Sequence, residues 1–518
     1  MRAARLRVAL LLGAPAAFLL AFYAWPLAHT IGAASADGVR WLGTPYVTRR
    51  LRIALLQAIL SVALTLAIAV PLAWLHHRYR IRGGRAQLAL HMAPFVLPVF
   101  VVVYGIQLTL GRWLVPLAAV VVAHAYYNAG FATRLLHATL ARRPRRLEDA
   151  ARALGAHPAI AFWRVSVPLL LPSLAAIALL VFLFTFASFG TVLLLGAGQV
   201  STPETLMYAQ LGGAFPRPER AAALGALQLL FGLLLFLAYM RLTQRQRDLA
   251  VDERPVPPAP AWASALSWGA LAVALAPIAA VLAGGFRVGG AWTLEPWRAL
   301  LDAAHPAHLA GFSLPRALGL SLAYAATSAA LALAMAILLM YALPGLPPRA
   351  RRLVEAAAAL PLGTSSLLLG FGYVLAFGAG ALLDLRGSMV VVVLVHTLVG
   401  FPFAARILHP AFDARDRRLD DAARTLGAPP LDVARRVHLP LLAAPLAAAA
   451  GLAAAASLGD FGAGALLMRP DNMSLSLWIA RHDAPFDPLR HAQAVALAGL
   501  LGLTTAGVFL LAHRRHRA

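Results

Sequence analysis

Two short stretches 272 positions apart carry the same residue types at the same spacing. The first reads Leu147-Glu148-Asp149-Ala150-Ala151-Arg152-Ala153-Leu154-Gly155, followed by Val165-Ser166-Val167-Pro168. The second reads Leu419-Asp420-Asp421-Ala422-Ala423-Arg424-Thr425-Leu426-Gly427, followed by Val437-His438-Leu439-Pro440. Leu147, Ala150, Ala151 and Leu154 recur at i, i+3, i+4 and i+7, which predicts a helix with one apolar stripe. Leu419, Ala422, Ala423 and Leu426 repeat it. The alanines add no bulk, so another surface can approach closely. The acids fall early in the helix, where the macrodipole favours them. Gly155 and Gly427 are placed to end it in a left-handed cap, and Pro158 and Pro430 to start a second short helix. The chemistry is that of docking, a small apolar ridge fitting a groove in a partner. A single copy would equally suit a helix resting on the membrane interface; two copies at one spacing favour docking.

A second group of residues lies in apolar surroundings. Asp460 sits near the end of a long apolar block, where an ionised carboxylate costs at least ~2.5–3.5 kcal/mol. It could attract a cationic solute, cap a broken helix, or pair with Arg469. Its repeat partner Ser188 carries no charge, so any site using both is asymmetric. His124 and His396 are also repeat partners; a structural role between helices outweighs a pathway role for them. The remaining chemistry is excluded by absence. The chain has no cysteine and no lysine, so thiolate chemistry, a Walker A loop and a Schiff base are all impossible. No H-E-x-x-H, G-x-S-x-G or G-x-x-x-x-G-K-[ST] string occurs. No catalytic site, metal site or bound cofactor is therefore expected; ATP, if it drives this protein, is hydrolysed by another subunit.

The elements that hold these residues are membrane helices. The 518 residues are 61% hydrophobic and 13% charged, against roughly 25% charged in soluble domains. Twelve apolar blocks, at 8–30, 52–76, 87–110, 113–136, 167–195, 221–243, 263–285, 317–342, 353–378, 388–408, 439–468 and 491–512, approach the ~20 residues that cross a bilayer. The expected fold is an all-α polytopic membrane protein of about twelve transmembrane helices in two homologous six-helix halves. The net charge of +24 comes from arginines between the blocks, so it implies no nucleic-acid partner. Arg78 to Arg85, Arg142 to Arg146, Arg241 to Arg247, Arg349 to Arg352, Arg415 to Arg418 and Arg514 to Arg517 fall on one side of a twelve-span chain. That side is the cytoplasm, with both termini in it. Arg49, Arg50 and Arg52 fall on the other side and break the pattern.

Shifting residues 124–190 onto 396–462 makes about 30 of the 67 pairs identical without a gap, an internal repeat. The division expected is a first helix and outer loop at 1–50, a first repeat at 51–243, a polar and proline-rich linker at 244–262, a seventh helix and outer loop at 263–314, and a second repeat at 315–512. Parallel repeats suggest a pseudo-two-fold axis along the membrane normal, with a pathway between the halves.

The paired pattern acid-Ala-Ala-x3-Gly-x9-apolar-x-apolar-Pro resembles the EAA loop of binding-protein-dependent ABC importer permeases with MetI-like transmembrane domains, here with Asp for the usual Glu. The resemblance covers about 51–243 and 315–512. It implies that Asp149, Ala150, Ala151 and Gly155, with Asp421, Ala422, Ala423 and Gly427, contact a cytoplasmic ATP-binding subunit that acts as a dimer. It also implies an extracytoplasmic solute-binding protein as a partner and a bacterial inner membrane, with its lipid, as the setting. Phe186-Ala187-Ser188-Phe189-Gly190-Thr191-Val192 and Ser457-Leu458-Gly459-Asp460-Phe461-Gly462 look closest to fused permeases for thiamine or its phosphate esters, with ferric iron permeases the alternative. Asp460, a carboxylate in an apolar block, and its repeat partner Ser188 are the residues expected along a pathway, with helix capping or pairing to Arg469 the alternative for Asp460. A secondary transporter driven by an ion gradient would explain the repeat but not the twin loops. An intramembrane enzyme would need a polar catalytic cluster, and none stands out.

Overall fold

The computed structural model describes residues 2–141, 145–157, 160, 164–165, 167–212, 215–244, 257–302, 313–378, 385 and 387–514. They are mostly helices joined by turns and loops, with one hairpin pairing Arg287–Val288 with Ala291–Trp292 across Gly289 and Gly290 and one isolated bridge between Arg80 and Pro258.

The helix Pro45–Arg78 shows which solvent the fold is built for. Gln57, Ser61 and Thr65, at i, i+4 and i+8, are fully buried, while Leu55, Leu56, Ile59 and Leu60 are exposed. A soluble helix would turn the other way. Hydrocarbon offers no hydrogen bond, so polar side chains turn inward and satisfy one another. Ser61 donates to the Gln57 carbonyl at 2.6 Å and Thr65 to that of Ser61 at 2.7 Å. Leu314–Ala342 repeats the arrangement, with Ser321 and Ser328 buried and Leu322 exposed.

Among the described residues, seven helices are long and apolar enough to cross a membrane: Val8–Gly32, Pro45–Arg78, Pro218–Thr243, Ala261–Gly284, Leu314–Gly345, Met389–Asp413 and Pro488–Ala512. Three expected spans are bent pairs: Gly84–Val96 with Val99–Leu110 at 100°, Pro348–Gly363 with Ser366–Ala376 at 97°, and Pro430–Leu441 with Ala443–Gly459 at 75°, which brings the total to ten. A single span was expected in each of the three places. The first two break at prolines: Pro98 lacks an N–H and disfavours helix at Leu97, and Pro361 lies in a 3₁₀ turn. The third breaks at Leu442, after a π turn at Ala434–His438. The last two of the twelve expected spans correspond to the 26-residue helix Pro116–Ala141 and the shorter apolar segment Leu170–Phe186.

The chain packs as two compact units that do not follow chain order. One contains Ala33–Phe95 and Val99–Gly284; the other contains Met1–Gly32, Val96–Pro98 and Gly285–Ala518. Each repeat is thus packed against the leading helix of the other. Ala261–Gly284 lies in the unit of the first repeat, where a Cβ on Gly105 would come within 2.8 Å of the Pro277 carbonyl oxygen. Tyr126 donates to the Ala274 carbonyl at 2.7 Å, and Ser267 Oγ lies 3.1 Å from His76 Nε2. Val8–Gly32 lies in the unit of the second repeat, where a Cβ on Gly372 would sit 2.9 Å from the Pro26 carbonyl oxygen. Tyr373 donates to the Phe22 carbonyl at 2.8 Å. In both places a glycine lets a proline-bearing helix approach to backbone contact. Of the linker, Gln244 and residues 257–262 are described: Arg80 N–H donates to the Pro257 carbonyl at 2.8 Å and ties this segment to the unit of the first repeat.

Of the arginines that broke the charge pattern, Arg50 has partners. Arg50 donates to the carbonyls of Gly198 and Gln199, the latter at 3.1 Å, and its guanidinium lies over the Tyr46 ring. Near the start of the matching helix, Arg316 donates to the Asp471 carbonyl at 2.8 Å. Each of these arginines ties a loop of its own unit to the first helix of its repeat.

Gly105→Ala and Gly372→Ala put a methyl group against backbone that cannot yield. Each is expected to destabilise its unit by about 1–3 kcal/mol, read as an earlier thermal transition of the purified chain in detergent.

Candidate functional site

The two loop helices, Arg145–Ala153 and Arg417–Thr425, end in the same hydrogen-bonded cap. Gly155 has φ +88° and Gly427 φ +79°. Ala156 N–H reaches the Ala151 carbonyl at 3.0 Å and Gly155 N–H that of Arg152 at 3.0 Å. In the second loop Ala428 reaches Ala423 at 3.0 Å and Gly427 reaches Arg424 at 2.9 Å. These are the paired 6→1 and 5→2 bonds of a Schellman motif, which needs a left-handed residue at the glycine position. A Cβ on either glycine would meet nothing within 4 Å, so the requirement is purely conformational.

The caps present their last apolar residues outward: Leu154 is 89% exposed and Leu426 87%. Asp149, Ala150, Asp421 and Ala422 are exposed, and Ala151 and Ala423 half-buried. A cleft of about 400 Å3 opens beside the second cap, lined by Ala423, Leu426, Gly427, Ala428, Val433 and Arg436. Pro430 starts the short helix Pro430–Val433, as expected. Pro158, Ser166 and the side chains of Leu147 and Glu148 lie outside the described residues.

The two acids of the second loop do different things, which the sequence did not reveal. Asp421 faces outward, whereas Asp420 is buried. His438 Nε2 lies 2.7 Å from Asp420 Oδ1, and Arg415 donates to Oδ2 at 2.9 Å. Burial alone would raise the Asp420 pKa, but the bonds from His438 and Arg415 outweigh it and hold the carboxyl below its usual value. A depressed folded-state pKa contributes stability that is fully present above the unfolded value and is lost as pH falls through the folded one. Asp420 therefore keeps its charge at neutral and mildly acidic pH. The divergence of His438 from Ser166, inside an otherwise matching loop, was the signal available in the sequence.

Ser188 and Asp460 occupy equivalent breaks, each within its own unit. Ser188 lies between Val167–Phe186 and Gly190–Leu195, and Asp460 between Ala443–Gly459 and Gly462–Leu467. Each break is held to the helix that follows. Thr202, which caps Pro203–Leu211, donates to the Ser188 carbonyl at 2.8 Å, and Ser476 donates to the Leu458 carbonyl at 2.7 Å.

Asp460 accepts the Ala463 N–H at 3.1 Å and lies 3.3 Å from His396 Nε2. His396 in turn meets Ser457 Oγ at 2.7 Å through Nδ1. Asp460 thus caps the helix after the break, and the side chain beside its carboxylate is His396 instead of Arg469. His124 has no carboxylate before it; its Nδ1 lies 3.1 Å from Gln57 Oε1 and 3.3 Å from Ser61 Oγ. Both histidines are buried between helices, and only the one in the second repeat faces a charge.

The model of the family described as "Binding-protein-dependent transport system inner membrane component" matches twice, at residues 53–248 and 318–515. The thiamine transport system permease protein ThiP of Escherichia coli K12 is 29% identical over 469 residues, covering 84% of this chain and 83% of that protein. ThiP of Brucella abortus strain 2308 is 29% identical over 504 residues, 90% and 88% of the two chains. ThiP of Haemophilus influenzae is 27% identical over 510 residues, 91% and 89%. The matched segments span well over half of the chain and contain both Schellman-capped loops and both interrupted helices. The chain therefore belongs, through each of its repeats, to the family of binding-protein-dependent transport system inner membrane components.

Proposed function

We propose that this chain is the permease subunit of an ATP-driven importer that carries thiamine or its phosphate esters from an extracytoplasmic binding protein to the cytoplasm. The observation that carries the mechanism is the duplicated loop helix, capped identically and offering Leu154 and Leu426 to a partner. Both loops face the cytoplasm with the two termini, on the side marked by most of the arginines. Asp149, Ala150, Ala151 and Gly155, with Asp421, Ala422, Ala423 and Gly427, dock onto a dimeric ATP-binding subunit. That subunit uses the ATP, since a chain without lysine cannot form a Walker A loop. Its closure displaces the loops and alternates access to a pathway that includes Ser188 and Asp460. The thiamine assignment is supported by the names of the relatives that match most of the chain, and the thiazolium charge of thiamine suits a carboxylate near its path.

Docking makes the first prediction here. The tagged chain, purified from native membranes, is expected to bring down an ATP-binding subunit. Changing the exposed Ala150 and Ala422 together to Leu should lower the recovered subunit about tenfold, ~1.4 kcal/mol. Recovery unaffected by both changes would count against these faces as the docking surface.

The caps make the next. Gly155→Val and Gly427→Val force a β-branched residue to positive φ, at about 1–3 kcal/mol each. Import should fall while the chain still inserts and expresses. Normal import in both variants would remove the caps from the coupling role.

Asp460→Asn keeps the shape of the break and removes its charge. Thiamine import is expected to fall about tenfold with the complex assembled, equivalent to ~1.4 kcal/mol. Unchanged import would leave Asp460 with its capping role alone.

A further inference from the structure

The second loop carries an anchor that the first lacks in sequence. Asp420, in the first turn of Arg417–Thr425, is gripped from two sides by His438 and Arg415. The far nitrogen of His438, Nδ1, lies 2.8 Å from the hydroxyl of Tyr341, at the end of Leu314–Ala342. Arg415 lies 3.5 Å over the ring of Phe412 and donates to the Phe412 carbonyl at 2.7 Å, at the end of Met389–Asp413. Tyr341, Phe412 and His438 stack around the cluster with ring centres 5.1 to 5.6 Å apart. Asp420 and His438 are both buried, although both belong to a loop. At the matching positions of the first repeat stand Arg143, Glu148 and Ser166. A serine there cannot bridge a carboxylate to a phenol through two ring nitrogens.

We propose that Asp420, His438 and Arg415 form a positioning lock that fixes the second loop helix to the ends of Leu314–Ala342 and Met389–Asp413, so that this loop moves those helices as one body with the docked subunit. The inference rests on the docking role of the loops and adds a division of labour between them. His438 donates from Nε2 to the carboxylate and accepts the Tyr341 hydroxyl at Nδ1, so one side chain joins the loop to a membrane helix. Arg415 supplies the second grip through a planar fork lying on an aromatic face, a geometry that lysine does not reproduce. A pull on Arg417–Thr425 then reaches two long helices through short charge-assisted bonds, which hold direction better than an apolar contact. The exposed Asp421, one residue on, stays free to meet the partner.

The test is the amount of thiamine imported per ATP hydrolysed. It uses the full chain with its ATP-binding subunit and binding protein in proteoliposomes. Asp420→Asn and His438→Gln are each expected to lower that ratio about tenfold, with ATP hydrolysis retained, and the double variant no further than the worse single, as for residues acting as a unit. Asp420→Glu should recover most of the ratio. His438→Gln leaves the Arg415 bond in place, so it tests the lock even where Asp420→Asn fails to fold. A normal ratio in His438→Gln within an assembled complex overturns the lock, and so do losses that multiply in the double variant. Absence of the ATP-binding subunit from the wild-type preparation overturns the docking role itself, and the lock with it. Only that outcome is shared by the two readings.

Discussion

A hydrogen bond given up inside a bilayer has no water to replace it, and this one constraint arranges the interior of the chain. Gln57 shows how. Its amide nitrogen donates to the Thr185 carbonyl at 2.9 Å, its oxygen lies 3.1 Å from His124, and its own carbonyl accepts Ser61. One side chain thus joins the helices Pro45–Arg78, Pro116–Ala141 and Val167–Phe186. Thr185 lies at the end of a helix about to break, where carbonyls lose their intrahelical donors. The break at Asp460 is treated the same way, with Ala463 N–H and His396 around the carboxylate. Interrupted helices are tolerated inside a bilayer only where such partners are supplied, and polar side chains supply them next to the breaks at Ser188 and Asp460.

The same constraint explains what could be read before any coordinates. Composition and block length implied membrane helices, because lipid tolerates few charges. The repeat gave two equivalent halves, and the spacing of Ala150, Ala151 and Gly155 with their counterparts gave the loop helices and their left-handed caps. Those are local properties, set by neighbours within a few residues. The bends at Leu97, at Thr364 near Pro361 and at Leu442 were missed, since hydropathy sums over a window and is blind to direction. The exchange of leading helices was missed too. Pro26 on Gly372 and Pro277 on Gly105 are contacts between distant segments, and each glycine read alone is one small residue in an apolar run. Arg50 looked anomalous because its partners are backbone carbonyls, which sequence does not display.

Fusion of two repeats in one chain removes the need for them to stay alike. In a pair of identical subunits, a histidine gained in one loop is gained in both. Here the differences gather around one helix of the second repeat. Ala443–Gly459 is preceded by His438, which meets Asp420, and followed by Asp460, which meets His396. Its counterpart Val167–Phe186 stands between Ser166 and Ser188. The body of the helix differs as well. Ala443–Gly459 is mostly alanine and glycine, and small residues let neighbours approach: a Cβ on Gly451 would come within 2.9 Å of Ala512 Cβ, and one on Gly400 within 3.0 Å of Ala453 Cβ. Val167–Phe186 carries leucines and phenylalanines, with Phe182 and Phe186 stacked and both against Phe231. Small-residue surfaces pack by backbone proximity, aromatic ones by interlocking bulk.

Each repeat thus holds the same helix by a different means. In the second, Asp420 with His438 and Asp460 with His396 flank the helix and its middle is smooth; in the first, Phe182 and Phe186 at the end of the helix pack on Phe231. The 75° bend at Leu442 separates the His438 end from the helix axis, so the two contacts flank Ala443–Gly459 from different directions. A second buried carboxylate at the Ser188 break would add its own desolvation cost. The asymmetry of Asp460 against Ser188 follows from that cost. The asymmetry of His438 against Ser166 places the proposed lock in the repeat that also carries Asp460.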